Sequence, residues 1–158
     1  MPPSVGMVEL SPADAATCQE VRTWCACNKV RRAARAVTRR YEVGLAPSHV
    51  KATQLPILVG LRTAGRISIT PLAEILGVDR TTLTRNLGVL ERDGLVRMAA
   101  DGVDGRRTAE LSDLGVRALA GALPAWRETQ AAIERDFGAS RLQTLFAELS
   151  ALTAAIGD

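Results

Sequence analysis

Residues 70–94 constrain the fold more than any other stretch. Two short helical patterns stand on either side of one glycine. Thr70-Pro71 has the cap-then-proline form that starts a helix, with Leu72, Ile75 and Leu76 as its inward face. Gly77 makes a tight turn. Asp79 then caps a second helix, in which Leu83, Leu87 and Leu90 recur at helical spacing, and Asp93-Gly94 ends it. Neither helix is long enough to hold itself together in water, so each must pack on the other and on a third element. A strand over 95–99, a polar tip over 100–107 and a second strand over 108–111 follow, and read as a hairpin. Residues 51–111 therefore predict a helix-turn-helix with a β-wing.

The flanks are helical. Ser11-Pro12, with Asp14 three residues on, predicts a capped helix start. Helical text continues to Leu45 with a break near Trp24. Its second part carries one apolar stripe: Cys27, Val30, Ala34, Val37 and Tyr41. Residues 44–48 end it. Thr53 is expected to cap the next helix, with Leu55, Leu58, Val59 and the stem of Arg62 inward and Gly65 as its stop. Ile67 to Ile69 reads as a short strand. Ser112 is expected to cap a long helix kinked near Pro124, where a backbone donor is missing. A last helix over about 140–156 carries Leu142, Leu145, Phe146, Leu149, Leu152 and Ile156. That heptad-like stripe calls for a partner, and a second copy of the chain would supply one.

The expected class is mainly α with a small β-wing: a winged helix-turn-helix plus a helical dimerisation domain. The expected division is a flexible start over 1–10, N-terminal helices of the dimerisation domain over 11–50, the DNA-binding module over 51–111, and C-terminal helices of the dimerisation domain over 112–158.

Composition narrows the function. Hydrophobic residues make up 47% of the 158, enough for a real core. Aromatics make up only 3%, too few for a platform that stacks single-stranded bases. The net charge of +3 permits an anionic partner without requiring one. No run of about 18 apolar residues is present, and the start lacks the layout of a signal peptide, so a cytoplasmic location is expected. Three cysteines, Cys18, Cys25 and Cys27, are an odd number within ten residues, expected as thiols in a reducing compartment. No P-loop, nucleophile elbow or suggestive carboxylate pair occurs, so no enzyme, metal or cofactor is expected.

The fourth helix carries the chemistry. With Leu83 at the centre of the buried face, Thr81 falls about 160° away and Arg85 about 200° away, with Thr82 and Thr84 flanking and Arg80 at the start. Short hydroxyls plus arginine suit a major groove: Arg reads guanine, Thr bonds phosphate or touches a thymine methyl. A merely solvated face would not favour three threonines, which are poor helix formers. On the wing, Asp104-Gly105-Arg106-Arg107 places two arginines where a narrow minor groove would draw them, with Asp104 to hold one in place.

The segments 72–85, Leu90-Glu91-Arg92-Asp93-Gly94-Leu95-Val96, Asp104-Gly105-Arg106-Arg107 and Leu111-Ser112-Asp113-Leu114-Gly115 together resemble the MarR family of winged-helix regulators, over about 27–156. The resemblance implies a homodimer on palindromic double-stranded DNA, repression, and release by a small-molecule effector or by thiol oxidation. It places an effector pocket near Val30, Arg31, Ala34, Tyr41 and His49.

Cys27 stands fourteen residues before Tyr41. This resembles the organic-hydroperoxide-sensing branch of the family, in which such a tyrosine hydrogen-bonds the reactive cysteine. Arg35 and Thr38 match that branch too. Arg31 departs from it, standing where the branch has a second tyrosine. A cation there would favour thiolate, whereas a packed cysteine would be inert. Cys18, Cys25 and Cys27 as a soft-metal or arsenite site is a further alternative. On one continuous helix, however, Cys25 and Cys27 diverge by about 200°, which also disfavours a disulfide between them. A winged helix used for protein contact, without specific DNA binding, remains the competing class.

Overall fold

The computed structural model describes residues 11–100 and 106–157. The expected flexible start and the wing residue Asp104 lie outside them. The chain divides into two compact units, one ending at Val37 and the other beginning at Thr38.

The first unit holds helix α1 (Pro12–Trp24) and the start of α2 (Ala26–Leu45). Ser11 and Asp14 cap α1 reciprocally: the Asp14 amide donates to the Ser11 hydroxyl at 3.1 Å and the Ser11 amide to the Asp14 carboxylate at 3.3 Å. Near its end the Thr23 hydroxyl donates to the carbonyls of Gln19 and Glu20, competing with the last-turn amides. Cys25 is extended (φ −62°, ψ 112°) and serves both helices. Its amide closes α1 on Val21 at 3.3 Å, and its carbonyl opens α2 by accepting from Lys29 at 3.1 Å. In this unit Cys25 is half-buried and the other described residues are exposed.

The second unit is the winged module with two further helices. After α2 come a short 3-10 turn (Ala46–Ser48), α3 (Leu55–Ala64), β1 (Ile67–Ser68), α4 (Ile69–Leu76), α5 (Arg80–Arg92), β2 (Val96–Ala99), β3 (Thr108–Leu111), α6 (Asp113–Phe137) and α7 (Ala139–Ile156). The sheet is antiparallel in the order β1-β3-β2, with Ser68 opposite Thr108 and Val96 opposite Leu111. Leu45, Leu58, Leu61, Leu72, Leu83, Leu87 and Leu90 are fully buried and form the centre of one core.

Several local expectations are corrected. Thr53 does not cap α3. Gln54 precedes that helix, and its side-chain oxygen accepts from the Lys51 amide at 3.0 Å, closing the turn that leads in. Val59 is 41% exposed, because Leu55, Ile57, Leu58 and Leu61 set the buried side of α3. Helix α4 starts at Ile69, not Thr70, since Ser68 takes the cap position and the Ile69 amide still pairs with the Arg107 carbonyl at 3.3 Å. Its inner face is Ile69, Leu72, Ala73 and Leu76. Ile75 lies about 110° from the middle of that face and is 62% exposed. Pro124 lies inside α6 and does not end it.

The junction from wing to α6 is tight. The Ser112 hydroxyl donates to the Gly94 carbonyl at 2.6 Å and accepts from the Gly115 amide at 2.9 Å. The Ser112 amide donates to Leu95 at 3.1 Å. A Cβ on Gly115 would lie 2.0 Å from the Leu95 carbonyl oxygen, so only glycine lets α6 approach this closely. On α7 only Leu142 is buried, while Phe146 and Ile156 are 51% and 75% exposed. Among the described residues no helix is long and apolar enough to cross a membrane.

Two glycines of α6 give opposite expectations. Gly115→Ala must displace backbone and should cost about 3 kcal/mol. Gly121→Ala meets open space and should gain about 0.5–1 kcal/mol through helix propensity. Urea denaturation of both variants checks the contrast, and equal effects would contradict the close approach at Leu95.

Candidate nucleic-acid interface

Helix α5 is fixed in rotation before anything binds it. Leu83, Leu87 and Leu90 lock one side into the core. Asp79 fixes the start, accepting from the Thr82 amide at 2.8 Å. Hydrogen bonds from Thr82, hydroxyl first and then amide, hold the Asp79 carboxyl below its ordinary range, with the Thr81 amide adding to them. The opposite side is thereby set: Arg80, Thr81 and Arg85 are exposed, and Thr82 and Thr84 are half-buried. Arg80, Thr81, Thr84 and Arg85 line a recess of about 470 Å³ along it.

The threonines are not equivalent. The Thr84 hydroxyl donates to the Arg80 carbonyl at 2.7 Å, so it faces outward with lone pairs and a methyl group. The Thr81 hydroxyl has no such partner among the described residues and is free to donate.

The wing reaches the same region. Arg106 and Arg107 are exposed just before β3. A cleft of about 500 Å³ brings them together with Arg80 and with Ser68, Thr70 and Glu74 of the α4 start. Among the described residues Arg80, Arg85, Arg106 and Arg107 make no ion pair. The Arg66 Nε donates to the Thr108 hydroxyl at 3.3 Å, which helps seat the base of β3. Ser68, Thr70 and Glu74 were not among the expected site residues. They join the arginines through the β1–β3 pairing, which spans about forty residues of chain and leaves no local signal.

Comparison with known proteins gives the family. The profile of the MarR family matches residues 49–107. The chain is 38% identical to the M. tuberculosis transcriptional regulator MosR, solved in complex with DNA, covering 85% of this chain and 99% of that one at a TM-score of 0.74. The chain belongs to the MarR family. A mutant MarR from E. coli complexed with operator DNA shares the fold at 20% identity, over 84% of this chain and 96% of that one, TM-score 0.74. So does the transcriptional repressor CouR bound to a 23-mer DNA duplex, at 21% identity, over 92% and 99%, TM-score 0.74. A search of curated proteins finds no match.

The remaining residues singled out in this MarR-family chain are placed as follows. Cys18 is exposed on α1, Cys25 is half-buried at the helix break, and Cys27 is exposed in the first turn of α2. The 200° divergence expected for Cys25 and Cys27 presumed one continuous helix. Cys25 has left helical geometry, so that exclusion of a Cys25–Cys27 bond no longer holds. Among the described residues no three His, Cys, Asp or Glu side chains are grouped to hold a metal ion. The Tyr41 hydroxyl donates to the Gln130 side-chain oxygen, and Gln130 in turn donates to Glu134 at 2.9 Å. Burial, and then the Glu134 carboxylate, push the Tyr41 phenol above its usual range. Its proton is thus committed to Gln130, where the hydroperoxide-sensing resemblance implied a cysteine partner. Val30, Arg31 and Ala34 are exposed on α2, and His49 is exposed with φ +59° after the 3-10 turn. None of these lines the recess on α5 or the wing cleft.

The Asp79 cap carries a pH signature. Its carboxyl titrates lower in the folded chain than in the unfolded one, so its contribution is present above the unfolded value, about 3.9, and is lost as the pH falls through the lowered folded value. Asp79→Ala should therefore melt below the wild type at pH 7, and the two should converge at acid pH. Thermal melts across that range check this, and a deficit that persists undiminished in acid would exclude the capping role.

Proposed function

We propose that this chain is a transcription regulator that binds a palindromic operator as a homodimer, represses, and is released by an effector. The observation that carries the reading is one continuous surface: the outward face of α5, with Arg85 and Thr81, meets the wing cleft at Arg80. Arg85 is assigned to a guanine edge, and Thr81, Thr82 and Thr84 to bases and phosphates of the major groove. Arg80, Arg106 and Arg107 are assigned to the backbone and the adjacent minor groove, and Asp104 to holding a wing arginine. Residues 51–111 form the DNA-binding module in this reading. The uncovered stripe of α7, Leu145, Phe146, Leu149, Leu152 and Ile156, supports a dimer, because a second copy would bury it. The role is regulatory rather than catalytic, and the compartment is the cytoplasm.

A thiol trigger is favoured by one specific observation, the helix break at Cys25. In the oxidised form Cys25 and Cys27 lose two protons and two electrons and form one S–S bond. An organic hydroperoxide takes them up, its O–O bond breaking to give an alcohol and water. Such a bond would restrain the junction of α1 and α2, whereas the reduced pair leaves it free.

The test is fluorescence anisotropy against the duplex just upstream of the chain's own gene, with a random duplex as control, at two salt concentrations. Selective binding is expected for the wild type. Arg85→Ala should weaken the upstream duplex about 5- to 150-fold with little change on the random one, and Arg106→Ala should weaken both. Tolerance of both substitutions would favour a protein-contact module. Cumene hydroperoxide should abolish selective binding and thiol reductant should restore it, with Cys25→Ser and Cys27→Ser each indifferent to the oxidant. Oxidant-insensitive wild-type binding would leave the regulator standing and move the trigger to a small molecule.

A further inference from the structure

The wing cleft is lined by three arginines and one glutamate. Arg80 comes from the first position of α5, Arg106 and Arg107 from the base of the wing, and Glu74 from the middle of α4. All four are exposed. Among the described residues Glu74 makes no ion pair with any of the three. Arg80 also lines the recess along α5, so the cleft and that face adjoin at Arg80. A phosphate entering there meets three positive groups and one negative group.

We propose that Glu74 is a counter-charge within the DNA interface, which weakens the grip on the phosphate backbone and thereby limits sequence-indifferent binding. The proposal rests on the DNA-binding reading above. Attraction to phosphate is the same for every sequence, while the base contacts of α5 are not. A regulator with too strong a backbone attraction is held by bulk DNA, whose sites vastly outnumber the operator. A carboxylate lining the phosphate's own cleft opposes the first contribution and leaves the second alone. Its place is suited to this. Glu74 lies on the helix before the recognition helix, away from the face that reads bases, and its side chain is not occupied in holding any arginine.

Glu74→Gln removes the charge and keeps the shape. Its affinity for a random duplex should rise about three- to tenfold at low salt. The upstream duplex should gain no more than that. The dependence of affinity on salt should steepen, and the gain should fade as salt rises. An unchanged melting temperature separates this from a change in folding, and Glu74→Lys should extend the trend. A Gln variant that binds the random duplex no tighter, or tighter by an amount indifferent to salt, overturns the proposal. So does selective loss of the upstream duplex, which would make Glu74 an acceptor for a cytosine amino group instead. Arg80→Ala, measured in parallel, separates the two levels. Weaker binding of both duplexes sustains the DNA-binding reading whatever Glu74 does, and failure of the wild type to bind any duplex removes both.

Discussion

The burial of three leucines on one side of a thirteen-residue helix underlies the rest of this structure. Leu83, Leu87 and Leu90 are each fully buried, and they leave α5 no freedom to rotate. The angle at which the outward face of α5 is presented is therefore set by the core. Asp79 adds the axial reference by holding the first turn through Thr82. The residues that meet solvent owe their arrangement to residues that never do. This is why Arg85, which has no ion-pair partner among the described residues, is nonetheless positioned: its backbone is fixed from behind.

Most of the winged module was legible because its determinants are local. Caps, glycine stops and helical spacing placed α4, α5 and both hairpin strands to within a residue or so, and placed the outward face of α5 correctly. Two of the errors share a cause. Val59 and Ile75 are apolar and near the buried stripes, yet both face outward. The inward direction of so short a helix is decided by which neighbours it packs on, and those neighbours are distant in sequence. Ser68, Thr70 and Glu74 were missed for the same reason. They join the arginine cleft only because β1 pairs with β3.

The cysteines show the reverse case, in which a sound geometric rule was applied to the wrong backbone. The rule that residues two apart on a helix point to opposite sides holds within a helix. Cys25 stands in the gap between two, closing one with its amide and opening the other with its carbonyl. A break near Trp24 was readable in the sequence, and the divergence of Cys25 and Cys27 holds only where the helix is unbroken. Tyr41 likewise shows how a shared spacing can carry a different contact, since its hydroxyl serves Gln130 in this chain.

The seam at Ser112 and Gly115 has a mechanical meaning. Two hydrogen bonds from Ser112, which caps the first turn of α6, and a glycine-only approach join that turn to residues 94 and 95, just after α5. Such a seam transmits rotation instead of absorbing it. Helix α6 has 25 residues, a rod of roughly 37 Å at the α-helical rise. A tilt of about 5° at one end of a rod that long displaces the other by roughly 3 Å, close to the rise of one base pair. The long helix is therefore a stiff rod clamped at one end to the exit of α5, so a rotation at that seam is read out as a displacement at the far end.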